Sequence, residues 1–404
     1  MTKCISRSIL LVWVVARAAT ASAQAEHQHE QVHQHEQTVG WSFMQDAMVY
    51  ALFNHQGGPR GGDELVAPNW WMGMASRGVG ASRLTLTAMF SLDPATVGKR
   101  GYGEIFQVGE AVDGQPLVDR QHPHDLFMQL AAIWRTPLSP STGLTIAGGP
   151  VGEPALGPVA FMHRASAAEN PFAPLGHHTF DSTHIAFGVV TAAVDHGPWT
   201  IEGSVFNGRE PDENRWNFDF GPLDSVSGRL WFKPTPAWEL QASTGRLVDP
   251  EELTPGNVQR TTASAAWLRQ SGRDFAAITV GYGVNAEHGT RRHSVFAEAT
   301  RRRGANAIFG RAEMVEVETN LLLDPAHVDE HSTERKDPVG AFTVGAIRDV
   351  ARWWGLEGGI GAQATFYAVP EALTSTHGRS PVSFQIFFRA RPASPRMLNM
   401  RMGQ

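Results

Sequence analysis

The chain is 404 residues long, 42% hydrophobic and 18% charged, with a formal net charge of -6. That is enough apolar content for a large buried surface and too little positive charge for a nucleic-acid binder. Its 41 glycines and 12 tryptophans suit tight turns, crowded interiors and interfacial girdles, and the absence of any later apolar run approaching about 18 residues excludes a helical inner-membrane protein.

In chain order, Lys3 and Arg7 precede the apolar run Ile9 to Val15, and Ala21-Ser22-Ala23 supplies small residues where a signal peptidase cuts. Residues 1–23 are therefore expected to be an export signal, cleaved near Ala23-Gln24. The only cysteine, Cys4, stands ahead of the apolar run and leaves with the signal, so the mature chain is expected to be free of thiols and of lipid attachment. Residues 24–40 carry His27, His29, His33 and His35 with almost nothing to bury, and read as a disordered His-rich periplasmic segment.

From Trp41 onward, polarity alternates with period two in segments of about ten residues, the length a tilted strand needs to cross hydrocarbon. About 16 such segments are present, near 41–54, 65–76, 82–92, 124–135, 142–149, 183–195, 199–207, 225–233, 237–246, 259–269, 274–285, 292–302, 305–318, 338–349, 354–367 and 380–391. Short Gly/Pro links such as His196-Gly197-Pro198 and Arg303-Gly304 alternate with longer ones, the largest at 93–123, 150–182 and 208–224. Short periplasmic turns opposite long external loops, with an even strand count, are the organisation of a single-chain outer-membrane barrel.

The expected fold is an all-β transmembrane antiparallel barrel over 41–391, with long external loops partly folded into the lumen. Lipid offers no partner to an open sheet edge, so the sheet must close, while a wet or tightly paired lumen accepts Arg83, Arg229, Glu239, Gln363 and Arg389. From Gly310 to Glu318 the charges change phase, which points to a bulge or to emergence above the membrane. Most tryptophans are expected at the interfaces, with Trp231 on the lumen phase and Trp238 on the lipid phase. Residues 392–404 form a periplasmic tail containing Met397, Met400 and Met402.

The densest polar motif is Asp119-Arg120-Gln121-His122-Pro123-His124-Asp125. An extended His-x-His pair can present both rings to one side, and the next long loop adds His163, His177, His178 and His184. If both loops fold inward, Asp119, His122, His124, Asp125, His163, His177, His178 and His184 are candidate ligands for a borderline divalent ion, Cu or Zn. The competing reading is a structural plug in which Arg120 and its neighbours pair with one another. No phosphate-binding loop, His-Glu-x-x-His helix or Gly-x-Ser-x-Gly elbow is present, and no catalytic residue is singled out.

The chain resembles proteobacterial outer-membrane β-barrels over roughly 41–391. The Asp119-to-Asp125 motif and Pro174-Leu175-Gly176-His177-His178 look like loop motifs of an uncharacterised family of that class. Composition at the termini is also similar to the outer-membrane copper-resistance protein of the B type. The resemblance implies a channel or transport role for small solutes or ions, linked to metal handling. The alternative is a closed barrel acting as a metal-binding protein or enzyme through its His/Asp loops. Implied partners are outer-membrane lipid, the barrel-assembly machinery and small solutes or metal ions.

Overall fold

The computed structural model describes residues 40–325, 335–393 and 398; the expected signal, His-rich segment and most of the tail lie outside them. Its strands are β1 (Ser42–Gln56), β2 (Gly62–Val66), β3 (Asn69–Val79), β4 (Ser82–Phe90), β5 (Tyr102–Val112), β6 (Gln115–Gln121), β7 (Phe127–Ser139), β8 (Thr142–Gly152), β9 (Ala186–His196) and β10 (Trp199–Phe206). They continue with β11 (Ser225–Thr235), β12 (Trp238–Val248), β13 (Asn257–Ser271), β14 (Asp274–Glu287), β15 (Thr290–Arg303), β16 (Asn306–Glu318), β17 (Lys336–Trp353), β18 (Leu356–Ala368) and β19 (Val382–Pro392).

All but β5 and β6 belong to one antiparallel sheet, and β1 closes it by pairing with β19 from Val49↔Ala390 to His55↔Phe384. Both β2 and β3 pair with β1 and interrupt each other only at Ala67-Pro68, where proline lacks the N–H that a ladder needs. Counted as one stave, they complete a closed 16-strand barrel. The expected segment at 65–76 is therefore right in place but broken at Pro68.

Alternation sets which face is which. Along β12, Glu239, Gln241 and Ser243 are buried in the lumen while Trp238, Leu240 and Ala242 face outward. On β18 and β19 the outward set is Ile360, Phe366, Phe384, Ile386 and Phe388, and the inward set includes Glu357, Gln363, Gln385 and Arg389. An apolar belt repeated on every stave is a surface made for hydrocarbon rather than water. Among the described residues, no helix is long and apolar enough to cross a membrane.

One end of the barrel is closed by two-residue turns, including Gly272-Arg273 and Gly304-Ala305, where the glycines take φ of 59° and 57°, a region costly for other residues. The other end carries the long connections 91–126, 153–185 and 207–224, although β14 and β15 are joined there by only His288-Gly289. Trp134, Trp199, Trp238 and Trp354 lie exposed toward the short-turn end as an interfacial girdle. Trp231 is inside, its Nε1 donating to Glu202 Oε2 at 2.8 Å, and so is Trp70.

Two further features have physical causes. Alternation from Gly310 to Glu318 contains no bulge: β16 pairs with β17 without a register shift, and Glu316 accepts from His293 N at 2.8 Å at the long-loop end. The chain has left the hydrocarbon there, so charge is tolerated on both phases. The connection 91–126 is not simply a polar loop but contains the hairpin β5–β6.

Replacing outward-facing Ile386, near the middle of β19, by Arg should destabilise the barrel in lipid vesicles by about 2–4 kcal/mol. Urea unfolding of the vesicle-embedded variant measures it, and an unchanged midpoint would remove lipid contact from that face.

Candidate functional site

The segment 153–185 runs inside the barrel and is buried along almost its whole length. Short helical turns at Phe161–His163, Ala165–Ala167, His177–Phe180 and Ser182–His184 let it fill the lumen without a second sheet. Charged wall residues pin it. Arg164 donates to Glu298 Oε1 at 2.6 Å and to Asp181 Oδ1 at 3.0 Å. Glu169, wholly buried, accepts from Arg391 at 3.1 Å and Arg302 at 3.5 Å and also pairs with Arg389. Arg311 donates to the carbonyls of Phe172 and Ala173. Each wall arginine has lost water, so its carboxylate or carbonyl partner offsets a desolvation cost of several kcal/mol.

A second inward segment, 91–126, lies against the first. Arg215 pairs with Asp125 at 3.2 Å and with Glu110. On β6, Asp119 accepts from Phe106 N at 2.8 Å and meets His377 Nε2 at 2.9 Å and Arg60 at 3.2 Å.

The two segments bring five of the six predicted histidines together. Ring centroids of His122, His177 and His178 form a triangle with sides of 5.4, 5.5 and 5.3 Å. His184 stands 5.4 Å from His177 and 5.7 Å from His124. A tetrahedral ion with Zn–N distances of about 2.0–2.1 Å would place imidazole centroids about 5 Å apart, so the triangle has the right size. Gly109 packs over the His178 ring, where any Cβ would collide with it.

The outer contacts fix which nitrogen faces inward. His122 Nδ1 lies 3.2 Å from Glu110 Oε1, His124 Nδ1 2.8 Å from Asp93 Oδ2, and His178 Nδ1 3.1 Å from Glu210 Oε1. His184 Nδ1 lies 2.6 Å from the Asp181 carbonyl, which can only accept. With the proton on Nδ1, Nε2 carries the lone pair, the orientation that carboxylates and carbonyls impose on metal-ligating histidines. Nε2 of His122, His178 and His184, and both nitrogens of His177, are buried with no hydrogen-bond partner, an arrangement that costs stability unless something accepts those lone pairs.

Burial, reinforced by the neighbouring rings, holds His122 and His177 well below the usual imidazole pKa and His184 at about 3. At neutral pH these three rings are uncharged, as ligands must be. Among the described residues no group of three His, Cys, Asp or Glu side chains is placed to hold a metal ion as it stands, so ligation requires the side chains to move.

The other predicted residues are dispersed. Asp119 and Asp125 are engaged by arginines away from the triangle, and His163 packs edge-on against Trp70 at 5.4 Å. Arg120 pairs with Glu64 at 3.0 Å, Arg229 with Glu202 at 2.6 Å, and Glu239 with Lys233 at 3.0 Å. Arg389 is buried against Glu169 and Asp349, whereas Arg83 is exposed at the short-turn rim on the lumen phase. Sequence reading missed Glu110, Glu210 and Asp93, which orient the rings but carry no spacing signal.

Three cavities adjoin this arrangement. A cleft among the long loops is lined by Glu110, His178, Glu251 and Arg292. A second, deeper, includes His163, His184 and Glu153. Glu153 also lines the third, with Arg135, Asp195, Glu202 and Arg229, along the inner wall of β7 to β11.

No known protein family and no curated protein matches the sequence. Solved structures do share the fold. The anion-selective porin of Comamonas acidovorans gives a TM-score of 0.52 at 8% identity, covering 87% of this chain and 100% of that one. OprB of Pseudomonas putida gives 0.52 at 9% identity, with 87% and 94% covered. OmpT of Vibrio cholerae, an outer-membrane protein, gives 0.51 at 8% identity, with 87% and 97% covered. At such identities the likeness is one of architecture, the porin-like outer-membrane barrel.

Changing Glu169 to Ala would take from Arg302, Arg389 and Arg391 the one carboxylate that the inward segment supplies, leaving them only the wall carboxylates Asp349 and Glu357. Losing one partner of a buried ion network costs about 3–5 kcal/mol. Hydrogen exchange should show amides of 160–180 opening at least about a hundredfold more often while the barrel strands stay protected; unchanged protection would mean that Glu169 does not hold the segment.

Proposed function

We propose that the protein resides in the outer membrane of a Gram-negative cell, with its long loops outside and both termini in the periplasm. Its role is passage or handling of small solutes or ions through a lumen that the inward segment 153–185 constricts. The observation that carries this reading is the pinned segment inside a closed cylinder, with cavities distributed from the long-loop cleft to the inner wall at Arg135 and Asp195. Porin-like architecture is consistent with it. The strands supply the seal, and the loops set what can pass.

Planar-bilayer recording tests the reading. Steady single-channel conductance is expected from the wild type, with larger steps when Arg164 and Glu169 are both changed to Ala. Silence in both proteins, with intact barrels, would overturn it.

One observation favours a second reading, a closed barrel that binds a transition metal at His122, His177 and His178. Their size-matched triangle, the Nδ1 anchors of His122 and His178, and the unpaired buried Nε2 atoms of all three support ligation of a borderline ion such as Zn(II) or Cu(II). Changing His122 and His178 to Ala should remove one equivalent of Zn(II) from the purified full chain in equilibrium dialysis. Equal stoichiometry in the double variant would discard the site.

A further inference from the structure

The inner face of a membrane barrel is ordinarily polar, yet methionine is concentrated there. Of the eight described methionines, Met44 and Met314 face outward, while Met72, Met74, Met89, Met128 and Met162 line a single cavity in the lumen. They converge from separate places: Met72 and Met74 from β3, Met89 from β4, Met128 from β7 and Met162 from the inward segment. Four of the five are buried, and Met48 packs in the same cluster.

Space filling alone does not require thioethers, since leucine and isoleucine pack barrel interiors in better-defined rotamers. The remaining lining also departs from simple filler. His184 borders the cavity with Nδ1 held by the Asp181 carbonyl and Nε2 buried without a hydrogen-bond partner. His163 borders it as well, and so does Glu153, whose carboxylate lies 3.3 Å from Arg229. Neutral thioethers with an imidazole reject hard ions such as Ca(II) and Mg(II) and suit a polarizable d10 monocation.

We propose that this cavity binds a soft monovalent cation, Cu(I) or its redox-inert analogue Ag(I), through its methionine sulfurs and His184 Nε2. His184 also touches the histidine cluster, 5.4 Å from His177, so the soft site adjoins the imidazole triangle. Glu153 connects it to the polar cavity beyond. The proposal rests on small ions having access to the lumen, and it specifies which class of ion the deeper half accepts.

The test is Ag(I) titration of the purified full chain in detergent, followed by calorimetry. Met397, Met400 and Met402 lie in the same chain, so the readout is a difference between variants. Met72→Leu/Met89→Leu/Met128→Leu conserves volume and should keep the fold, checked by heat-modifiable gel mobility. It is expected to bind one Ag(I) fewer than wild type, or that equivalent at least about tenfold more weakly, while Zn(II) uptake is unchanged. His184→Gln should weaken the same equivalent. Wild-type Ag(I) stoichiometry and affinity in the triple variant would overturn the proposal. So would loss of Ag(I) and Zn(II) together in a correctly folded triple variant, which would make the methionines mere support for the histidines. A barrel that takes up the lumenal Ag(I) yet passes no current refutes the transport reading and leaves this one standing.

Discussion

Everything in this molecule depends on the hydrogen bonds between its first and last strands. Hydrocarbon cannot satisfy an exposed N–H or C=O, and each one left open would cost several kcal/mol. The β1–β19 ladder removes the only two edges the sheet has. Closure in turn creates an enclosed interior that must be filled with water, paired charge or packed side chains. This chain uses mostly the last two.

The filling explains the division of labour between wall and loops. Arginines on β15, β16 and β19 point inward at the level where Glu169 and the carbonyls of Phe172 and Ala173 arrive from 153–185. Loop and wall are thus electrostatic complements, each costly to bury without the other. Held this way, the loop becomes a platform for His177, His178 and His184, with Nδ1 of His178 and His184 tied to Glu210 and a backbone carbonyl, while Glu110 and Asp93 hold His122 and His124 on the facing segment 91–126. On β3, β4 and β7 the inward side chains include methionine instead of charge.

The barrel was legible in the sequence because lipid and lumen impose opposite chemistry on alternate residues, as Leu84, Leu86 and Phe90 against Thr85 and Thr87 display. All 16 expected segments correspond to staves. The β5–β6 hairpin was not legible, since it lies in the mouth with both faces covered, and positive φ at Phe106 and Glu110 breaks its pattern. The histidines stood out by composition, but not which of them meet: the fold packs His163 against Trp70 and beside His184, outside the triangle, and diverts Asp119 and Asp125 to arginines. The methionine cavity left no trace because its members come from three separate staves and the inward segment, far apart in the chain.

The most direct test of the account places single cysteines, each carrying an environment-sensitive fluorophore, at successive positions from Ser383 to Phe388 in vesicles of brominated lipid. The chain's sole natural cysteine, Cys4, is replaced first. Quenching should be strong at 384, 386 and 388 and weak at 383, 385 and 387. Uniform quenching, or none at any position, would contradict a sealed cylinder with lipid on one face and a filled lumen on the other.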